Sequence, residues 1–155
     1  MLGARYRFRL WGAVTLLALV AAAAAHAAPS SDLSVEEMKG RLSSTGVGDR
    51  PHLCVQIAQK QLLEADKEYA ASDFEKGQAA LVDVVAYSEL ARDYAIQSHK
   101  YQKQSEIAVR TMARKLTELM HSLGHDDQAP VRDAVNRLQR VRDDLLMAMF
   151  PKGAR

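Results

Sequence analysis

The chain has 155 residues, of which 48% are hydrophobic and 26% are charged, with 21 basic and 19 acidic side chains. Its single cysteine excludes a framework of intramolecular disulfides, so packing must hold the fold together. The formal net charge of only +2 gives no electrostatic support for nucleic-acid binding.

The first 27 residues have the pattern of a cleaved secretory signal peptide. Arg5, Arg7 and Arg9 precede an apolar run of about 16 residues, which is shorter than the ~20 needed to cross a bilayer. A small-residue site, Ala25-His26-Ala27, follows, and we expect cleavage after Ala27. The mature chain would then carry 18 basic and 19 acidic side chains and would be periplasmic or secreted from a bacterium, with no membrane insertion. An uncleaved membrane anchor is the alternative.

Glycine and proline divide the mature chain into three parts. Residues 28–50 are expected to form a tail with a short helix, begun by the capping box Ser34-x-x-Glu37, and a Gly-containing loop. Residues 51–150 are expected to form one helical-bundle domain, and residues 151–155 a C-terminal tail. Pro51 suits the first turn of a helix, where its missing N–H would have no helical partner.

Apolar residues recur at spacings of three and four throughout residues 51–150, which predicts helices. Residues 78–123 contain no glycine or proline, and their unbroken apolar phase favours one long helix over a break near residues 98–104. Before this segment, a capping box at Ser72 predicts a turn at 71–73, and after it Gly124 predicts a stop.

The predicted fold is therefore an all-α antiparallel helical bundle around one long central helix that is continuous or broken. The helix of residues 51–71 should pair with the first half of that segment, and the helix of residues 128–149 with the second half. On the last helix, Asp133–Arg137 and Arg140–Asp144 have the i, i+4 spacing of surface ion pairs.

Residues 65–81 resemble the helix-turn-helix core of a tetratricopeptide repeat. Ala65, Phe74, Gly77 and Leu81 stand where that repeat places its small and bulky packing residues. No second copy follows at the 34-residue spacing of the family. We interpret the resemblance as the packing of a helical hairpin.

Three tyrosines, Tyr87, Tyr94 and Tyr101, are spaced seven residues apart and would align on one side of a helix. One interpretation is structural, with the rings covering a helical hairpin and the hydroxyls facing water. Another is a partner-binding face, because tyrosine gives a large and rigid contact area at interfaces. Ligand stacking is a third.

Two further sets of residues are candidates for chemistry. His121 and His125 have a helical i, i+4 spacing, and with Asp126 they form a candidate metal site, although Gly124 interrupts the helix between them. Cys54 is either a buried free thiol or the site of an intermolecular disulfide.

No motif indicates an enzyme or a cofactor. The chain has no Gly-rich phosphate loop, no Gly-x-Ser-x-Gly and no haem-attachment motif. We therefore expect a non-enzymatic exported protein that binds a protein partner or a second copy of itself, without nucleic acid. The alternative is a periplasmic metal- or small-ligand-binding protein that uses His121 and His125.

Overall fold

The computed structural model describes residues 33–151, so the predicted signal peptide, residues 1–27, lies outside the described residues. Of the described residues, 83% are helical and none forms a strand, which confirms the all-α prediction. A single 3-10 turn, His125–Asp127, precedes the last helix. The helices are α1 (Val35–Arg41), α2 (Arg50–Ala70), α3 (Phe74–Ser98), α4 (Gln102–Ser122) and α5 (Gln128–Met149).

Helices α2 to α5 form two antiparallel hairpins that pack side by side. Helix α2 pairs with α3, and α4 pairs with α5, as the short turns between them predict. Helix α3 lies beside α5, and the two run in the same direction, because Glu89 and Arg92 on α3 pair in that order with Arg137 and Asp144 on α5. Contact between α2 and α4 is much sparser than contact within either hairpin. Between the two hairpins, α3 therefore packs more closely against α5 than α2 does against α4.

The apolar stripes predicted from spacing meet in one extended core. Its largest fully buried side chains come from all four long helices, so none of α2 to α5 is peripheral to it. Burial of this kind stabilises a fold by roughly 25 cal/mol per Å² of apolar surface removed from water. These side chains include Ile57, Val84, Met112, Leu116, Val131, Leu138, Val141 and Leu145.

The prediction of one long helix over residues 78–123 is wrong, and the alternative of a break near residues 98–104 is confirmed. Residues 78–123 divide between α3 and α4, and the chain reverses where His99 and Tyr101 take left-handed φ values of 56° and 59°. In a continuous helix each half would meet only one partner helix. Reversal also brings α3 against α5 and α4 against α2, which buries a wider face of every helix.

The hairpin of α2 and α3 confirms the predicted turn but corrects its cap. Asp73, not Ser72, caps α3: its carboxylate accepts a hydrogen bond from the Lys76 backbone N–H at 3.2 Å, while Ser72 takes a left-handed φ of 60°. Gly77, in the first turn of α3, lies under the ring of Tyr69, and a Cβ at Gly77 would be 2.8 Å from that ring. This is the close hairpin packing that the tetratricopeptide-like residues indicated.

We expect Gly77→Ala to destabilise the protein by roughly 1–3 kcal/mol, because the added methyl group overlaps the buried ring of Tyr69. Gly40→Ala is the matched control, since Gly40 is also helical and has no neighbouring atom within 4 Å of the new Cβ. The measurement is urea unfolding followed by circular dichroism. A Gly77→Ala protein as stable as the wild type would show that the two helices can separate without cost.

We expect His99→Gly to raise the free energy of unfolding by up to about 1 kcal/mol, because glycine adopts a left-handed φ without the steric cost that other residues carry. Gln97→Gly, two residues earlier inside α3, should lower it by about 0.5–1 kcal/mol. Thermal and urea unfolding of both variants check the prediction. Equal loss of stability in both would mean that residue 99 is helical in solution.

Candidate functional site

The three tyrosines face the segment of residues 39–52, but they do not share one helix. Tyr87 and Tyr94 lie on α3, whereas Tyr101 lies in the reversal, immediately before α4. All three side chains are half-buried. The ring of Tyr101 stacks on the imidazole of His52, with 5.5 Å between ring centroids and 27° between ring planes.

A cation from residues 39–52 lies over the ring of Tyr87, and another lies over the ring of Tyr94. The Lys39 Nζ lies 5.7 Å from the Tyr87 ring centroid, and the Arg50 guanidinium lies 5.2 Å from that of Tyr94. A cation over an aromatic face is stabilised by the ring quadrupole. The rings of Tyr87 and Tyr94, predicted as part of a partner surface, thus contact cations of this chain itself.

Lys39 and Arg50 hold this segment in place through further contacts. The Lys39 ammonium forms an ion pair of 2.8 Å with Asp83 on α3, and this carboxylate raises the pKa of Lys39 above its ordinary value. The Arg50 side chain donates hydrogen bonds to the carbonyl oxygens of Thr45 at 3.0 Å and Ser43 at 3.3 Å. The Lys39 ion pair and the two cation–ring contacts therefore tie residues 39–50 to α3, while the Arg50 hydrogen bonds hold the loop against the start of α2.

Cys54 lies beneath this segment as a free thiol with no exposed surface. It packs with Ala91 and Ala108, and Leu42, Tyr87 and Tyr94 pack against the same cluster. Burial raises the pKa of the thiol from an ordinary 9.0 to about 12. A disulfide between copies would require the covering segment to move away, so the packing favours the buried free thiol.

The predicted metal site gains no support from the geometry. His121 lies in the last turn of α4, His125 and Asp126 lie in the following 3-10 turn, and all three side chains are exposed. Within residues 33–151, no group of three or more His, Cys, Asp or Glu side chains is placed to hold a metal ion. Two exposed imidazoles alone do not provide a closed coordination sphere.

The charges of α5 join helices instead of pairing along one helix. Arg137 forms a bidentate pair with Glu89 on α3, with contacts of 2.8 and 2.9 Å, and Asp144 pairs with Arg92 on α3 at 3.0 Å. The predicted i, i+4 partners of Arg137 and Asp144 are thus replaced by residues of α3. Spacing along the sequence cannot reveal such pairs, because their members lie about 50 positions apart.

Sequence reasoning missed a cleft between α2 and α4. It has a volume of about 370 Å³ and lies between two helices that contact each other much less than the helices within either hairpin do. Leu62, Leu63 and Leu119 supply apolar surface, and the side chain of Leu63 is 62% exposed. The polar residues that line it are Asp66, Lys115, Glu118 and Ser122. The only sequence signal was Leu63 itself, a leucine next to the apolar stripe of α2 rather than on it.

Comparison of the chain with protein-family models, with curated proteins and with solved structures finds no match. Within residues 33–151, no helix combines the length and the apolar character needed to cross a membrane. The candidate sites therefore rest on the geometry of this chain alone. The structure adds two candidate sites, the α2/α4 cleft and the surface covered by residues 33–49.

The buried thiol predicts how stability depends on pH. Because the folded-state pKa of Cys54 is about 12 and the unfolded thiol titrates near 9, the unfolded state loses its proton first. The free energy of unfolding should therefore fall as pH rises above 9. The slope should exceed that of Cys54→Ala by up to about 1.4 kcal/mol per pH unit.

Urea unfolding at several pH values from about 8 to about 11 measures this difference, because that range includes the ordinary pKa of a thiol. Val55→Ala is the control, since Val55 is a buried neighbour on α2 without a titratable group and should lower stability while keeping the wild-type slope. Identical slopes for the wild type and Cys54→Ala would contradict the shielding of the thiol.

Proposed function

We propose that this protein is an exported, non-enzymatic helical-bundle protein that acts by protein–protein contact, and that the α2/α4 cleft is its contact surface. The observation that carries the proposal is Leu63, a large apolar side chain that stays 62% exposed beside an open cleft. The expected signal peptide supports export.

The cleft has the composition of a small protein interface. Apolar side chains form its floor, with Leu62 only 5% exposed and Leu119 partly buried. Asp66, Lys115 and Glu118 surround that floor with charges of both signs. An apolar centre within a polar rim is the usual anatomy of a protein–protein contact.

The occupant that fits best is a second copy of this chain. In a two-fold dimer the same surface meets itself, so each Leu63 would enter the cleft of the other copy. Lys115 of one copy would then lie near Asp66 or Glu118 of the other, because the rim carries both signs. With 18 basic and 19 acidic side chains in the expected mature chain, the copies would not repel one another strongly.

A small amphipathic ligand is the second candidate, favoured by the size of the cleft. A volume of 370 Å³ lies near the lower end of the roughly 300–1,000 Å³ common for ligand pockets. Such a ligand would use the leucines for its apolar part and Lys115 or the carboxylates for its polar part. The metal-binding alternative at His121 and His125 stays a prediction without structural support.

We expect the protein to sediment as a concentration-dependent dimer and Leu63→Glu to sediment as a monomer, because a carboxylate would have to be buried in the partner's cleft. Val82→Glu is the matched control: Val82 is 65% exposed, but it lies on α3 and does not line the cleft. Analytical ultracentrifugation from low micromolar to millimolar concentration makes the measurement.

A protein that stays monomeric throughout that range would refute the second copy as occupant. In that case, binding of an apolar fluorescent dye that is lost in Leu63→Glu and kept in Val82→Glu would support the small ligand. Equal effects of both substitutions on sedimentation would place the interface away from the cleft.

A further inference from the structure

Helix α1 is bound to the bundle through very few side chains. It has seven residues, and Met38 is its one buried residue, with 3% exposure. Lys39 adds the ion pair with Asp83 and the contact with the Tyr87 ring. By comparison, each of helices α2 to α5 has 21 to 25 residues and buries at least six of them.

Apart from these two residues and Leu42, which ends α1 and packs against the Cys54 cluster, little would keep α1 folded or in place. Isolated helices shorter than ~12–15 residues are marginal in water, so the capping box of Ser34 and Glu37 cannot maintain it alone. The loop that follows contains Gly46 and Gly48, and it is held by the hydrogen bonds from Arg50. Regions with few buried apolar contacts open at a lower free energy than the core of the same protein.

The surface under residues 33–49 is suited to receive a helix. It presents the carboxylate of Asp83 and the rings of Tyr87 and Tyr94, with Cys54 beneath them. In the present structure Met38 is buried, Lys39 contacts Asp83 and the Tyr87 ring, and Leu42, the residue that ends α1, packs against the Cys54 cluster. Recognition of an amphipathic helix in a groove commonly uses a few such anchors.

We propose that residues 33–49 form a displaceable strap, and that the surface beneath it binds a helical segment of a partner protein. That segment presents an apolar side chain, then Lys or Arg, then a second apolar side chain three residues later, as Met38, Lys39 and Leu42 do. The strap competes as an intramolecular ligand whose effective concentration is roughly millimolar, so it sets a threshold for the partner. This surface is separate from the α2/α4 cleft, and the proposal does not depend on self-association.

The thiol of Cys54 reports strap opening in the full chain. Its rate of reaction with an aromatic disulfide reagent, measured without denaturant, is expected to rise about tenfold or more in Met38→Ala and in Lys39→Ala. The urea midpoint of the bundle should change little in either variant. Lys67→Ala, which removes an ion pair with Glu64 on the outside of α2, is the control and should keep the wild-type labelling rate.

A second experiment tests binding in trans. A synthetic peptide with the sequence of residues 33–45 should slow the labelling of Cys54 in the Met38→Ala/Lys39→Ala double variant. The same peptide with alanine at positions 38 and 39 should not. Wild-type protein should need more peptide for the same protection, because its own strap competes.

Two results would overturn the proposal. In the first, labelling of Cys54 in the wild type and in the strap variants follows global unfolding, with the same dependence on urea as the bundle. In the second, labelling accelerates in the variants but millimolar peptide with the native sequence gives no protection. Either result leaves the self-association test at Leu63 unaffected.

Discussion

The reversal of the chain at residues 99–101 is the constraint on which the bundle depends. Two residues other than glycine, His99 and Tyr101, hold left-handed φ values there, each at a cost of roughly 1–2 kcal/mol. The cost is offset because the reversal brings the second hairpin against the first. Stacking of Tyr101 on His52 anchors the reversal to the start of α2. Without the reversal, α3 and α4 would form one continuous helix, and each hairpin would keep an uncovered apolar face.

Helix α5 depends on this reversal for its polar contacts as well as for its core. Arg137 and Asp144 reach across to α3, and Arg142 donates a hydrogen bond of 2.8 Å to Glu106 on α4. The Glu106 side chain is only 9% exposed, and a carboxylate so deeply buried requires such a partner. These pairs set the register of α5 against two helices at once. Slippage by one turn would leave a buried charge without its partner.

The two proposed surfaces lie where this packing is least complete. The cleft lies between α2 and α4, which contact each other much less than α3 and α5 do. The strap covers another stretch of α2, around Cys54, with a helix too short to bury much of itself. Both are local departures from full burial in an otherwise well-packed helical bundle, and for that reason they are the places where a second molecule can add contacts.

The sequence by itself determined the helical class, most helix ends and the buried stripes, because these follow from spacings of three and four and from capping residues near in the chain. It also determined the pairing of α2 with α3, since a short turn joins them. Only the tertiary structure decided the break at His99, which carries no glycine or proline as a marker. The tertiary structure also decided which residues pair with the charges of α5, which residues cover the tyrosines and where the α2/α4 cleft lies. Each of these depends on residues distant in sequence that meet only once the hairpins have packed.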